Sequence, residues 1–289
     1  MSGLKLCGVV TLYNPTDDNI ANIGTYIDGL GVLYVVDNSP EYNERVSRQI
    51  RERYGNVEIL SSGKNIGVAA ALNLAISHSL EDGYEFLMTM DQDSFFEEQQ
   101  YGKYLKSLSG LSFSRIALVS PLHDSSDYVD SGSVVYERQE DVATSGSVIN
   151  LSVARKVGLF DEKLFIDAVD QDYCLRANIL GYDVLQTKNC YLCHCIGEKY
   201  DGTLFMSNRK RRFYIHSPKR MYFIVRNALF IRHKYRSDFP DYTRAYTKRM
   251  FERVSKCIRY SHQRTTYTRY IIMALYDYAF GHYGNRVNI

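Results

Sequence analysis

Residues 84–96 read Tyr84-Glu85-Phe86-Leu87-Met88-Thr89-Met90-Asp91-Gln92-Asp93-Ser94-Phe95-Phe96, a mostly apolar run that ends in two carboxylates one residue apart. A buried strand cannot carry unpaired carboxylates, so Asp91 and Asp93 belong where the strand emerges at the edge of a sheet. In α/β folds ligands collect at that edge. Acids at this spacing can divide the work, one accepting hydrogen bonds from ligand hydroxyls and the other joining a hard, oxygen-preferring cation such as Mg2+ or Mn2+. The natural client is a diphosphate. Taken alone, an Asp-x-Asp reads more readily as a solvated turn, so the rest of the chain has to decide.

Working outward, strand-like segments at 4–12, 33–36 and 57–60 precede the run at 86–90, and helical patterns fall near 43–54 and 68–79. That alternation predicts an α/β fold with a mainly parallel sheet flanked by helices on both faces. Polar residues then follow each strand in order: Thr11-Leu12-Tyr13-Asn14-Pro15, Asp37-Asn38, Ser62-Gly63-Lys64-Asn65-Ile66-Gly67 and Asp91-Gln92-Asp93. Four polar strand ends converge on one crevice. The stretch Gly63 to Gly67 leads into an Ala-rich helical run, where exposed N–H groups and Lys64 suit an anion. It lacks the Gly-Lys-Ser/Thr of a P-loop, and no Gly-x-Gly-x-x-Gly follows the first strand, which argues against NTPases and dinucleotide oxidoreductases.

The chain has 289 residues, 45% of them hydrophobic, ample for a packed interior. No apolar stretch approaches the roughly 20 residues that span a bilayer, and no signal-peptide pattern precedes the first strand, so a cytoplasmic protein is expected. The net charge of +2 conceals a division. Residues 1–200 hold 16 Lys+Arg against 28 Asp+Glu, whereas 201–289 hold 19 against 5, with 11 of the 25 tyrosines. The expected organisation is therefore a nucleotide-binding and catalytic domain over 1–200 and a basic, Tyr-rich, largely helical extension over 201–289. Such an extension suits an anionic partner, either a membrane surface or the acidic domain itself. Nucleic acid is not expected, because no RNA- or DNA-binding motif is visible.

A second acidic cluster, Asp167-Ala168-Val169-Asp170-Gln171-Asp172, precedes a helical run containing Arg176. A helix starting near Asp170 would stabilise these acids by its dipole and pair Asp172 with Arg176 at i,i+4. Asp170 or Asp167 then remains to act as a base. Between the two clusters, 142–150 reads as short β-rich pieces and loops around Ser145 and Gly146, with a helix beginning near Ser152. Cys190, Cys193 and Cys195 crowd around His194, but structural zinc draws on two separated ligand pairs and there is no second pair here. Cys193 and Cys195 are expected to pack inward as apolar residues, and His194 can offer a neutral imidazole to a metal already held by Asp93.

In this order the motifs resemble those of the family 2 glycosyltransferases of GT-A fold, and within them a bacterial rhamnosyltransferase-like branch. The Thr11 to Pro15 segment is similar to the family's first strand end, Asp37-Asn38 to its base-recognising pair, and Asn65-Ile66-Gly67 to its Asn-x-Gly element. Asp91-Gln92-Asp93 stands at the Asp-x-Asp. Val169-Asp170-Gln171-Asp172-Tyr173-Cys174-Leu175-Arg176 resembles Glu-Asp-x-Asp-x-x-x-Arg, departing at its first acid. Arg220-Met221-Tyr222-Phe223-Ile224-Val225-Arg226-Asn227 resembles the branch signature Arg-x-Tyr-Tyr-x-x-Arg-Asn. The likeness covers about residues 4–230.

The resemblance implies an inverting, metal-dependent transfer of a sugar from a nucleotide donor. Asp170 falls on the catalytic base, with Asp167 as an alternative. Asp93 and His194 fall on the Mg2+ or Mn2+ ligands. Thr11, Tyr13, Asn14, Asp37, Asn38, Lys64, Asn65, Gly67, Asp91 and Gln92 line the nucleotide, with Asp91 on its ribose. Ser145, Gly146, Asp172, Arg176, Arg220 and Arg226 are expected to support the donor or acceptor. It further suggests dTDP-L-rhamnose as donor, with UDP-galactose, UDP-glucose and UDP-galactofuranose as alternatives, and a polysaccharide or polyprenyl-diphosphate-linked glycan as acceptor. The membrane's inner face is then a candidate location. Rival classes are a nucleotidyltransferase, which would carry a Gly-rich basic loop after the first strand, and a non-catalytic nucleotide-sugar-binding module.

Overall fold

The computed structural model describes residues 4–61, 63–123, 125–130, 133–194, 198–203 and 210–288, with the backbone alone at 198–203 and 210–215. The chain divides into two compact units, Met1–Asp161 with Asp170–Cys195, and Glu162–Val169 with Ile196–Ile289.

The first unit begins with β1 (Leu6–Leu12), α1 (Asp17–Ile23), β2 (Leu33–Asp37), α2 (Glu44–Arg53), β3 (Val57–Ser61), α3 (Val68–Glu81) and β4 (Phe86–Asp91). It continues through β5 (Ser94–Phe95), α4 (Gln100–Leu108), β6 (Ile116–Leu122), β7 (Tyr136–Arg138), β8 (Val148–Asn150) and α5 (Leu151–Val157). Helix α6 (Val169–Ile179), β9 (Asp183–Tyr191) and β10 (Cys193–His194) complete it. Eight strands form one sheet in the order β3-β2-β1-β4-β8-β6-β9-β7, while β5 and β10 pair separately.

Strands β1 to β4 are parallel, as the alternation of strand and helix requires. Their continuous apolar sequences match burial on both faces: every residue of β2 is buried, and β1 is open only at Thr11. Edge strand β3 is half exposed. The registers Thr11 opposite Asp91, Leu12 opposite Asp37 and Asp37 opposite Ser61 bring the four strand ends level. Helix starts follow local chemistry. Thr16 and Asn19 form a capping box on α1, Asn43 caps α2, and Asn150 caps α5. Gly67, at φ +86°, turns the chain into α3.

The sheet is mixed beyond β4. Strand β8 runs antiparallel to both β4 and β6, and β7 antiparallel to β9. The turn that feeds β8 closes with Ser147 N–H donating to Thr144 O at 2.8 Å. Gly146 sits in it at φ +77°, where a Cβ would come within 2.8 Å of Pro121 Cγ and 3.0 Å of Leu192 Cδ2. Only glycine meets both demands.

In the second unit β11 (Glu198–Thr203) and β12 (Lys210–Ile215) pair antiparallel, followed by α7 (Pro218–Tyr235), α8 (Pro240–Tyr260) and α9 (Arg264–Ala279). Met221, Phe223 and Val225 of α7 share a core with Met250 of α8, Tyr267 and Ala274 of α9, and Phe165. Arg226, for which the sequence suggests a role beside ligand phosphates, is fully buried. It lies against the Tyr222, Phe223 and Tyr283 rings and donates to the carbonyls of Lys163, Leu164 and Gly284. Its neighbour Asn227 donates to the carbonyls of Leu164, Ile166 and Asp167 at 2.8 to 2.9 Å. These bonds hold a segment in which Phe165, Asp167 and Ala168 all have positive φ, a conformation that costs side-chain-bearing residues energy and needs such a clamp. The Arg-Asn pair is thus spent on the chain's own backbone.

Candidate active site

The four level strand ends are tied to one another before any ligand is considered. Asn14, in the left-handed region at φ +46°, donates its N–H to Ser39 Oγ at 2.9 Å. Ser39 N–H in turn donates to Asp37 Oδ1 at 3.0 Å. Asn38 N–H reaches Leu12 O at 2.7 Å, and its Oδ1 accepts from Ile66 N–H at 2.8 Å. Asn65 Oδ1 accepts from Gly67 N–H at 2.9 Å, so the glycine turn is internally braced, with Lys64 exposed on it. Gln92 behaves like an extra strand residue: its Oε1 accepts from Tyr13 N–H at 2.8 Å and its Nε2 donates to Tyr13 O at 3.3 Å. The Gln92 carbonyl accepts from Asn19 and Asn22 of α1. Thr11 Oγ1 is buried and, among the described residues, has no hydrogen-bond partner.

At the end of β4, ligand atoms of Asp91, Asp93 and His194 lie within 4.8 Å of one another. His194 arrives there because β10 pairs with β5, setting His194 opposite Ser94. Its Nδ1 is 3.4 Å from Asp93 Oδ1 and 2.8 Å from Ser94 Oγ. Two carboxylates and an imidazole, all partly exposed, are a donor set able to hold a divalent cation. Asp91, which the resemblance puts on the ribose, belongs to this same group.

The turn 144–147 docks on β4 and reaches both acidic clusters. Thr89 N–H donates to Ser147 O at 2.9 Å and Gly146 N–H to Thr89 O at 2.6 Å. Ser145 Oγ accepts from Asp91 N–H at 3.1 Å and donates to Ser94 Oγ at 2.7 Å. His123 Nε2 is 2.7 Å from the Ser145 carbonyl and therefore carries the hydrogen, and burial pushes the His123 pKa down. On the other side of the turn, Thr144 gives both its N–H and its hydroxyl to the Asp170 carboxylate, each at 3.2 Å.

Burial, reinforced by the negative charge of Asp91, pushes the Asp170 carboxyl up to about 7 despite those two hydrogen bonds. A carboxyl whose pKa lies near neutrality is able to exchange a proton at neutral pH. Asp172 is fully buried and pairs with Arg176 at 2.8 Å, as the i,i+4 spacing predicts. Arg176 also donates to the carbonyls of Val157 and Leu159, anchoring α6 to the end of α5. Asp167 belongs to the second unit, where Arg220 pairs with it at 3.2 Å.

The cysteines need one correction. Cys7, Cys174, Cys190 and Cys257 are buried, but Cys193 is partly exposed and its thiol donates to Glu97 Oε1 at 3.5 Å. Cys195 lies outside the described residues. Thr144, Ser94, His123, Ser39 and the two asparagines of α1 escape the sequence reading. Of these only His123, directly after β6, could have been found by the strand-end rule.

A largely parallel sheet with two acids and a histidine at its strand ends gives the first unit an α/β architecture of GT-A type. Residues 18–129 match the model of glycosyl transferase family 2. The chain is 28% identical over 254 residues to the dTDP-rhamnosyl transferase RfbF of Shigella flexneri, covering 80% of each chain. It also superimposes on the crystal structure of GalNAc-T7 with UDP, GalNAc and Mn2+ at a TM-score of 0.58 and 13% identity, over 97% of this chain and 58% of that one. The chain is thus similar to the family 2 glycosyltransferases over residues 18–129, and over most of its length to a dTDP-rhamnosyl transferase.

The raised carboxyl of Asp170 has a consequence for stability. Because the folded chain holds this proton more tightly than the unfolded one, stability falls as pH rises from about 4 to 7. In metal-free protein Asp170→Asn is expected to be more stable than wild type at pH 8 by on the order of a few kcal/mol, seen as a higher melting temperature, with the gain shrinking toward pH 4. Melting curves of both proteins across that range measure it, and an Asn variant less stable at pH 8 than at pH 4, relative to wild type, contradicts it.

Proposed function

We propose that the chain moves a hexosyl group from a nucleoside diphosphate sugar to an acceptor hydroxyl with inversion at the anomeric carbon, and that Asp170 is the base. The observation that carries this reading is the Asp170 carboxylate, partly buried, held by Thr144 and raised to about 7 in the same unit as the Asp91, Asp93 and His194 group. Its oxygen accepts the proton of the acceptor hydroxyl as that hydroxyl's oxygen bonds to the anomeric carbon. The bond from that carbon to the donor's phosphate oxygen breaks on the opposite face, and the nucleoside diphosphate departs. A divalent cation, Mg2+ or Mn2+, held by Asp93 and His194 would compensate the charge that grows on the diphosphate. Asp91 is assigned to the nucleoside ribose, with an oxygen close enough to add to the cation's shell. Asp37, Asn38, Thr11, Tyr13 and the 63–67 loop complete the nucleoside side.

The RfbF relative supports dTDP-L-rhamnose as the donor, ahead of the UDP-linked hexoses. A polysaccharide or lipid-linked glycan is the acceptor class consistent with that relationship. Transfer assays with dTDP-L-rhamnose and UDP-hexoses test both points. Asp170→Asn is expected to lower kcat by at least about 100-fold with nucleotide affinity retained. In the wild type kcat/KM should climb with pH toward about 7, because the protonated carboxyl below that value cannot accept a proton. Transfer within tenfold of wild type in Asp170→Asn, or a flat acid limb, would remove Asp170 as the base.

The second unit is proposed to meet an anionic bilayer surface. No helix among the described residues is long and apolar enough to cross a membrane. Helix α9 nonetheless exposes Ile272, Leu275, Tyr276 and Phe280, at spacings that share one face. Helix α8 exposes Arg244, Lys248, Arg249, Arg253, Lys256 and Arg259. Apolar residues settling at the acyl boundary and cations worth about 1 kcal/mol each near anionic headgroups suit reversible attachment. Flotation with phosphatidylglycerol vesicles should recover the protein at low salt and lose it at 0.5 M NaCl on the order of completely, whereas phosphatidylcholine vesicles should not recover it. Equal recovery from both lipids sinks the idea.

A further inference from the structure

We propose that the hydroxyl of Thr144 is a positioning group for the transfer: together with the residue's own N–H it fixes the plane of the Asp170 carboxylate and so decides which edge meets the acceptor hydroxyl. This rests on the reading of Asp170 as the base.

Residues 139–144 lie along one face of α6. Asn178 Nδ2 donates to the carbonyls of Gln139 and Glu140 at 3.3 and 3.0 Å, and the Cys174 thiol reaches Val142 O at 3.9 Å. Gln171 Nε2 donates to Asp141 Oδ2 at 3.0 Å. Positions 171, 174 and 178 share a helix face, so one extended stretch can meet all three. The stretch is anchored at its start by Gln139 N–H on Val184 O of β9 at 2.9 Å, and at its end by the turn 144–147 on β4. Thr144 stands where stretch and turn join, and it is buried. Its carbonyl accepts from Ser147 N–H at 2.8 Å and from the Thr89 hydroxyl. With the carbonyl spent on the turn, its N–H and its hydroxyl both go to Asp170 in the first turn of α6.

The two bonds land on different oxygens, the hydroxyl on Oδ1 and the N–H on Oδ2, each at 3.2 Å. A single bond would leave the carboxyl group free to swing, because the torsion that turns it has broad minima. Two donors from one rigid residue hold its plane. Among the described residues no other donor reaches this carboxylate. Of its four or so acceptor sites Thr144 takes two, and the rest lie on the edge turned away from Thr144. A base acts only when that edge is in line with the incoming hydroxyl, and a misplacement of about 1 Å can cost about 100-fold in rate. The N–H belongs to the backbone of the anchored turn, so the hydroxyl is the part of the grip that the side chain supplies. Its contribution acts through Asp170 and not on the substrate directly.

The test is the split between kcat and nucleotide binding in two variants. Thr144→Val removes the hydroxyl while keeping size and backbone bonds, and Thr144→Ser keeps the hydroxyl. Turnover is read as nucleoside diphosphate released from dTDP-L-rhamnose and UDP-hexoses with alkyl glycosides as acceptors, and binding is read separately with dTDP and UDP. Thr144→Val should lower kcat about 10- to 100-fold with nucleotide affinity within about twofold of wild type, and Thr144→Ser should recover most of the rate. The split is informative because Ser145 of the same turn bonds the Asp91 N–H, so a variant that merely loosened the turn would weaken nucleotide binding together with kcat. In an Asp170→Ala background Thr144→Val should cost nothing further. A Thr144→Val rate within about threefold of wild type, while Asp170→Asn has lost about 100-fold, overturns the positioning role and leaves Asp170 as the base. Joint loss of rate and nucleotide binding, no recovery in Thr144→Ser, or an equal loss in the Asp170→Ala background also overturns it. Transfer by Asp170→Asn within about tenfold of wild type, or no turnover of any of these donors by the wild type, removes the base reading, and the role of Thr144 falls with it.

Discussion

The hydrogen bonds between the turn 144–147 and the end of β4 are the constraint on which the rest of the site depends. Through Thr89 the turn is stitched to the strand that delivers Asp91 and Asp93, and through Thr144 it grips the Asp170 carboxylate. Ser145 carries the same geometry to Ser94 and His194. Two acidic clusters far apart in sequence thereby share one anchor. The anchor is local and stiff because Gly146 alone fits between Pro121 and Leu192 at positive φ. A side chain added there would displace the contacts to Asp170 and to Asp91 together.

The electrostatics make sense only for a ligand that brings compensating charge. Gathering Asp91, Asp93 and Asp170 raises the Asp170 carboxyl, and a cation among Asp91, Asp93 and His194 would offset part of that repulsion. The acids Asp172 and Asp167, equally prominent in the sequence, are neutralised within the protein by Arg176 and Arg220. Pairing thus gives Asp172 and Asp167 a structural use within their own units. Burial and the negative charges of Asp91 and Asp141 are what raise the Asp170 carboxyl.

The parallel core was legible because buried parallel strands write themselves as continuous apolar runs punctuated by polar ends. All four strand ends chosen from the sequence stand level in the sheet. Helices α2, α3, α5 and α6 announced themselves by period, caps and acids. The short α1 and α4 did not, and neither did the antiparallel β7 and β8, which are three residues long and depend on partners elsewhere in the chain. The same limit hid Ser94 and Thr144: their partners lie 100 and 26 residues away, and a lone hydroxyl carries no pattern. The surroundings of Arg226 were hidden in the same way, since three aromatic rings and three carbonyls meet it in the fold and no short pattern announces them.

The central claim is that the Asp91, Asp93 and His194 group binds a nucleoside diphosphate through a divalent cation. Thermal unfolding of the full chain with dTDP and UDP, with and without Mn2+ or Mg2+, tests it most directly. A ligand at 100 times its Kd should stabilise the fold by about 2.7 kcal/mol, visible as a rise in Tm. The account expects that rise with nucleotide and cation together, and its loss in Asp93→Ala. No rise with any nucleoside diphosphate, or an equal rise in the cation's absence and in Asp93→Ala, would contradict it.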